Sequence, residues 1–206
     1  METKVVIFDC DGVLLDTKKS VRAYYDTLFR EVGVPLLTDS QFKDAFMNTV
    51  EEAILQFIQN PQQQEKARAL QRSFDNTPFL NKIEIAPTTL PFLGFLHQFV
   101  KTAVVTNRAY SMPTITKRWS FDKYFDLIIS AMDVSQPKPH PEGLNKVLAT
   151  FNLSPKEALF VGDSPVDELA AKRAQIPFVA FQNKNLSAVY HIHELPQLAE
   201  ILKLPA

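Results

Sequence analysis

Short apolar runs that stop abruptly at polar or turn-forming residues are the tightest constraint on how this chain can fold. Residues 5–8, 102–105, 127–129, 158–161 and 177–181 are such runs, rich in Val, Ile and Phe. Runs this short and this apolar suit strands buried on both faces, as in a parallel sheet covered by helices. Helical patterns lie between the later ones. In residues 141–151, Leu144, Val147, Leu148 and Phe151 share one face, and residues 165–174 carry an Ala-rich face. Strand and helix alternate, so the pattern predicts an α/β chain with helices on both sides of a parallel sheet.

One region breaks the alternation. From Thr17 to Ile85 the apolar positions recur every three or four residues: Val21, Tyr24, Tyr25, Leu28 and Phe29 form one stripe, Phe42, Ala45 and Phe46 another, and Ile54, Leu55 and Ile58 a third. Asn60 before Pro61 reads as a cap with proline at the first helical position, opening a helix through residues 62–74. The segment is an expected helical insert of residues 17–85, which divides the sheet domain into residues 1–16 and 86–206.

With 206 residues, 46% hydrophobic and 22% charged, the chain can bury a substantial core. The 16 Phe residues are expected to fill much of it. A formal net charge of -1 offers no basic field for a nucleic-acid backbone, and no apolar stretch approaches the roughly 20 residues that span a bilayer. Cys10 is the single cysteine, so no intramolecular disulfide can form. A cytoplasmic protein acting on a small molecule is the expectation, with no nucleic-acid or membrane partner, as monomer or homodimer.

The sharpest chemical signal is Phe8-Asp9-Cys10-Asp11-Gly12-Val13, where two carboxylates appear at the end of an apolar strand. Carboxylates are costly to desolvate unless paired, hydrogen-bonded or metal-bound. The carboxyl end of a parallel strand is also where open α/β sheets hold ligands. A strand-ending Asp turn is the bland alternative. An EF-hand calcium loop fails, because glycine is needed at the sixth loop position and an acid at the twelfth, where this chain has Leu14 and Ser20.

Gly162-Asp163-Ser164-Pro165-Val166-Asp167 repeats the pattern after residues 158–161. The spacing puts Asp163 and Asp167 on one side of a helix start, so Asp163 can serve as a cap or as a metal ligand. With Asp9 and Asp11 at another strand end of the same sheet, a hard-cation site of oxygen ligands is the better account, and magnesium the expected ion. Thr106-Asn107 closes the second run with a hydroxyl and an amide, which also suit an ordinary turn. Lys138 stands between Pro137 and Pro139, which restrict where its ammonium can point; an exposed lysine in a stiff loop is the alternative.

The ordered set Asp9-Cys10-Asp11-Gly12-Val13, Thr106-Asn107, Lys138-Pro139 and Gly162-Asp163 with Asp167 resembles the four motifs of haloacid dehalogenase-like hydrolases. The resemblance runs from the first strand to Phe181. It implies a Rossmann-like three-layer core with an inserted all-helical cap, similar to the cap of the phosphoglycolate phosphatase and β-phosphoglucomutase subgroup. It further implies that Asp9 attacks phosphorus, that Asp11 is the acid and base, and that magnesium sits between the Asp9 carboxylate, the Asp11 backbone carbonyl and Asp163. Asp167 would complete the outer part of that site or orient Lys138. Thr106 and Lys138, with backbone amides near Asn107, would hold the transferring oxygens. Family members that attack carbon lack an acid two residues after the nucleophile, so Asp11 points to phosphate transfer. The expected activity is a magnesium-dependent phosphatase acting on a small phosphate monoester. A phosphomutase would keep every motif, and a non-enzymatic binding protein on the same fold is a third reading.

Some positions depart from the family pattern. Many relatives have Gly in the substrate-facing loop of the cap, where this chain has Phe46-Met47-Asn48-Thr49, which weighs against a specific phosphoglycolate assignment. Asn48 and Thr49 could contact substrate, but are read as a helix boundary. Gln175 stands where relatives often have a glycine ending the helix, and a left-handed residue there would carry strain of roughly 1 kcal/mol. Arg22, Arg108 and His140 could serve as phosphate or leaving-group contacts but are read as solvated surface, and Cys10 is read as buried filler pointing away from the acids.

Overall fold

The structure, a computed structural model, describes residues 2–205. Six parallel strands form one sheet: β1 (Val5–Phe8), β2 (Lys101–Val105), β3 (Leu127–Ile129), β4 (Ala158–Gly162), β5 (Phe178–Phe181) and β6 (Tyr190–Ile192). Their spatial order is β3-β2-β1-β4-β5-β6, which puts β1 between β2 and β4, with Val5 opposite both Lys101 and Ala158. The five strands expected from the sequence are present. β6 is an addition to that expectation: it is a three-residue edge strand whose Tyr190 is exposed, so it has no apolar run to betray it.

Side-chain alternation along the strands sorts the core into two layers. Val6, Phe8, Val104, Leu159 and Val161 face Leu93 and Leu96 of α6 (Thr89–Leu96), Ile115 of α7 (Met112–Trp119) and Leu198 of α10 (Leu198–Ile201). Val5, Ile7, Ala103, Val105 and Phe160 face Leu144, Val147 and Leu148 of α8 (Glu142–Phe151) and the alanines of α9 (Pro165–Ala174). The result is a three-layer Rossmann-like α/β fold. Small Ala170, Ala171 and Ala174 line the face of α9 that packs in the second layer, all buried. Cys10 continues the Val6 and Phe8 series into the first layer and is buried there.

Five helices lie between β1 and α6: α1 (Lys18–Val32), α2 (Asp39–Met47), α3 (Val50–Phe57), α4 (Pro61–Ser73) and α5 (Thr77–Leu80). They bury a cluster of their own, in which Tyr25, Leu28 and Phe29 of α1 meet Phe42 and Ala45 of α2, Ile54 of α3 and Ala67 of α4. Local chemistry sets the helix starts. Thr38 with Gln41, and Thr49 with Glu52, make reciprocal capping boxes, and the Asn60 side chain accepts from the backbone N–H of Gln62 and Gln63 ahead of α4. Asn48 and Thr49 thus form the expected boundary between α2 and α3. The chain leaves and re-enters the sheet layers side by side, since Asp16 and Glu84 exchange two backbone hydrogen bonds of 2.8 and 3.0 Å.

Gln175 ends α9 with φ +58°, in the left-handed region, and its side chain is exposed. The strain at that Cβ has no packing to compensate it. Gln175→Gly is therefore expected to raise stability by about 1 kcal/mol, less the entropy that glycine adds to the unfolded chain. Urea denaturation should show a higher midpoint with an unchanged slope.

Candidate active site

Because β2, β1 and β4 are neighbours, the residues that follow their last positions meet at one edge of the sheet. Thr106, Asp9 and Asp163 each stand immediately beyond a strand end. This is the crevice at the carboxyl ends of the strands where open α/β sheets bind ligands. Lys138 arrives from the loop between β3 and α8, and Asp167 from the first turn of α9.

Lys138 is the hub. Its Nζ lies 2.7 Å from Asp9 Oδ1 and donates to Asp167 Oδ1 at 2.6 Å, with the lysine only 4% exposed and Asp167 fully buried. Burial opposes the charge on this lysine, but Asp167 and Asp9 outweigh that cost and raise its pKa, so it stays protonated. Both oxygens of Asp167 are engaged. Oδ2 accepts from the Ser164 backbone N–H at 3.1 Å and from its hydroxyl at 2.6 Å, in the capping box that opens α9. The N-cap is thus Ser164 and not Asp163. Gly162 makes room for this arrangement, since a Cβ there would lie 2.4 Å from Asp167 Cβ.

Asn107 donates from Nδ2 to the Lys138 carbonyl at 2.8 Å, which ties the lysine loop to the end of β2. Thr106 is buried and accepts from the Arg108 backbone N–H at 3.1 Å. Arg108 itself is a correction to the sequence reading. Far from solvated surface, its side chain is 11% exposed, and it reaches Asp11 through Nε at 3.0 Å and through Nη2, with Nη1 donating to Ser111 Oγ at 3.0 Å. Arg22 is half-buried against Asp26, Asp39 and the face of Phe42, within the helical layer. His140 is half-buried and accepts at Nδ1 from the Glu142 backbone N–H. Thr17, which the sequence did not single out, is fully buried at the start of α1, and its hydroxyl has no hydrogen-bond partner among the described residues.

The carboxylates differ in what holds them. Asp11 is pushed up by burial, but Arg108 outweighs that and leaves it below its usual range. Burial pushes Asp9 up to about 7, with Lys138 opposing and Asp167 and Asp11 adding to the rise. Burial, then repulsion from Asp9 and Asp167, pushes Asp163 up to about 8. Among the described residues no donor hydrogen-bonds the Asp163 carboxylate. That carboxylate leans over Gly12, where φ is +83° and a Cβ would lie 2.2 Å from Oδ2. Oxygens of Asp9, Asp163 and Asp167 gather within 4.8 Å of one another. Fully ionised, three carboxylates around one ammonium would leave two negative charges uncompensated, and this donor set fits a divalent hard cation held through Asp9 and Asp163.

A cavity of about 810 Å³ opens over these groups. Its far wall comes from the helical layer, with Tyr24 of α1, Phe46 and Met47 of α2, and Phe79 of α5. An apolar wall facing a few convergent charges is the usual make-up of a small-molecule site.

The raised pKa values of Asp9 and Asp163 carry a sign. Both groups hold protons more tightly in the folded chain than in the unfolded one. They therefore erode stability as pH rises from the unfolded carboxylate range, about 4, through 7 and 8. Thermal melts in a chelator should give a lower Tm at about pH 8.5 than at about pH 6, and magnesium should raise Tm more at the higher pH. A Tm that is flat across that range, with a metal effect independent of pH, would contradict this account of the two carboxyls.

Comparison with known proteins agrees with the geometry. Residues 6–181 match the family described as haloacid dehalogenase-like hydrolase. A phosphoglycolate phosphatase from Vibrio vulnificus is 32% identical over 186 residues, covering 84% of this chain and 81% of the relative. A validoxylamine A 7'-phosphate phosphatase from Streptomyces hygroscopicus is 30% identical over 178 residues, covering 84% and 83%. Among solved structures, a HAD-superfamily hydrolase of subfamily IA from Geobacter sulfurreducens superposes with a TM-score of 0.77 at 34% identity, covering 97% of this chain and 96% of that one. A strand-end carboxylate cluster, a sheet of matching topology and an ordered motif set over most of the length converge on one assignment: the chain belongs to the haloacid dehalogenase-like hydrolases, as a phosphatase of that family.

Proposed function

We propose that this phosphatase hydrolyses a small phosphate monoester with magnesium, through a phosphoryl intermediate on Asp9. The observation that carries the reading is the pairing of Asp9 with a second acid, Asp11, at the end of the central strand, beside a buried ammonium 2.7 Å from Asp9. In the first step an Asp9 oxygen bonds to phosphorus as the ester P–O bond breaks, and Asp11 supplies the proton taken by the leaving oxygen. In the second, Asp11 takes a proton from the water that attacks the aspartyl phosphate, releasing phosphate and restoring Asp9. Lys138 and the Thr106 hydroxyl hold the transferring oxygens, where positioning and charge supply most of the catalysis.

Asp9, Asp163 and the Asp11 backbone carbonyl would hold the magnesium, whose charge offsets the repulsion between carboxylate and phosphate. Asp167, with both oxygens already bonded, acts on Lys138 rather than on a metal. Residues 17–85 act as a cap that closes over the crevice and excludes water, with the Asp16 and Glu84 backbone pair at its base. A small phosphorylated metabolite is the partner, and a reducing cytoplasm suits a chain whose single cysteine is buried and free. The curated relatives act on different phosphates by name, and the cap wall that would choose among them carries Phe46, Met47 and Asn48 in this chain.

Phosphate release from an aryl phosphate and a panel of metabolites, with and without magnesium, tests the reading. Release should require the metal and fall by at least about 1,000-fold in Asp9→Asn, because the nucleophile is lost while the fold keeps an isosteric side chain. Isomerised sugar phosphate without net phosphate release would favour a phosphomutase instead. Release that survives the substitution would rule Asp9 out as the nucleophile.

A further inference from the structure

The Arg108–Asp11 pair sits awkwardly with the chemistry asked of Asp11. Arg108 Nε and Nη2 engage the two Asp11 oxygens separately, in the fork geometry that is strongest for a carboxylate. Asp11 is 20% exposed at its side chain and Arg108 11%. While so held, the carboxylate has both oxygens committed to the guanidinium. Simply pulling the pair apart would leave two nearly buried charges unmatched, which is strongly unfavourable. An exchange of partners avoids that cost, provided that another anion takes the place of Asp11.

The charges of the cavity say where such an anion would come from. Asp9, Asp11, Asp44, Asp163, Asp167 and Glu168 line it, against Lys43, Arg108 and Lys138. Lys138 is held by Asp9 and Asp167, and Lys43 is exposed on α2. Arg108 is thus the buried cation not tied to the nucleophile, and it stands at the end of β2, two residues past Thr106. Nε and both Nη atoms make bonds, yet a guanidinium has five N–H groups, and two remain to draw in an approaching anion.

Building on the phosphatase reading above, we propose that Arg108 determines specificity by recognising an anionic group, a carboxylate or second phosphate, on the leaving-group portion of the substrate. That group replaces Asp11 on the guanidinium, and Asp11, freed of the cation, takes up a proton from solvent and carries it to the leaving ester oxygen, returning one to solvent when it pairs with Arg108 again after the water has attacked. Arg108 thereby couples recognition to turnover: esters with a neutral leaving group bind without freeing Asp11, whereas esters with an anionic one do both.

The test compares phosphoglycolate with 2-hydroxyethyl phosphate, in which a neutral hydroxymethyl group replaces the carboxylate, and uses 4-nitrophenyl phosphate as a reference. The unsubstituted enzyme should prefer phosphoglycolate by about 10- to 100-fold in kcat/KM, the span of one charge-assisted hydrogen-bonded contact. In Arg108→Gln that preference should collapse to within about threefold, mainly through loss on phosphoglycolate, and Arg108→Lys should keep part of it, since a lysine preserves the charge without the fork. Glycolate should inhibit the unsubstituted enzyme better than ethylene glycol does, a measurement that needs no variant to fold. An arginine that merely braces Asp11 would instead lower turnover of both esters by one factor, and an unchanged ratio, or no preference at the outset, overturns the inference alone. Absence of phosphate release from all three esters by the unsubstituted enzyme with magnesium overturns the phosphatase reading and this inference with it.

Discussion

A buried lysine between two buried carboxylates is the interaction on which the rest of the site depends. Alone, the Lys138 ammonium at 4% exposure would lose its proton or its place, and Asp9 and Asp167 would face each other across a water-poor crevice. Together they hold one another. Each partner is anchored by a different part of the fold: Asp9 by the central strand, Asp167 by the capping box that starts α9, and Lys138 by the Asn107 amide on its carbonyl. Breaking any anchor leaves an uncompensated buried charge, the kind of defect a core of modest stability tolerates poorly.

The same network explains why this edge of the sheet is suited to phosphate chemistry. The ammonium offsets one of three carboxylates, and the remaining charge collects on Asp9 and Asp163, whose acidities are both weakened by burial and mutual repulsion. Such a donor set fits a divalent cation. On the opposite side of the crevice the helical layer supplies aromatic and apolar surface. The core layer carries the carboxylates and the lysine, and the helical layer the aromatic and apolar wall opposite them.

Much of this was legible in the chain order. Five apolar runs became five strands, because a strand buried on both faces has no alternative to continuous hydrophobic composition. The sixth strand was not legible, since β6 is a short edge whose Tyr190 and His191 are exposed and which buries only Ile192 in the core. Asp9, Asp11, Thr106, Lys138, Asp163 and Asp167 stood out because polar groups directly after buried strands or between prolines need a reason. Arg108 was legible only as one of three candidate phosphate or leaving-group contacts read as solvated, the common fate of an arginine in a loop. Its burial arises from a partner 97 residues away in sequence, and nothing local to residue 108 announces it.

What the sequence by itself determined was therefore the parallel sheet with its flanking helices, the strand-end location of the acids and the helical character of residues 17–85. All of these follow from periodicity and from the cost of placing charge beside apolar strands. What only the tertiary structure decided was which polar groups hold which. Asp167 is spent on Lys138 and Ser164, the cap of α9 is Ser164, the Asn107 amide serves the lysine loop, and Arg108 grips Asp11. Hydrogen bonds and ion pairs act over about 3 Å, and distances on that scale are set by strand order and packing among segments remote in the chain, which no local pattern encodes.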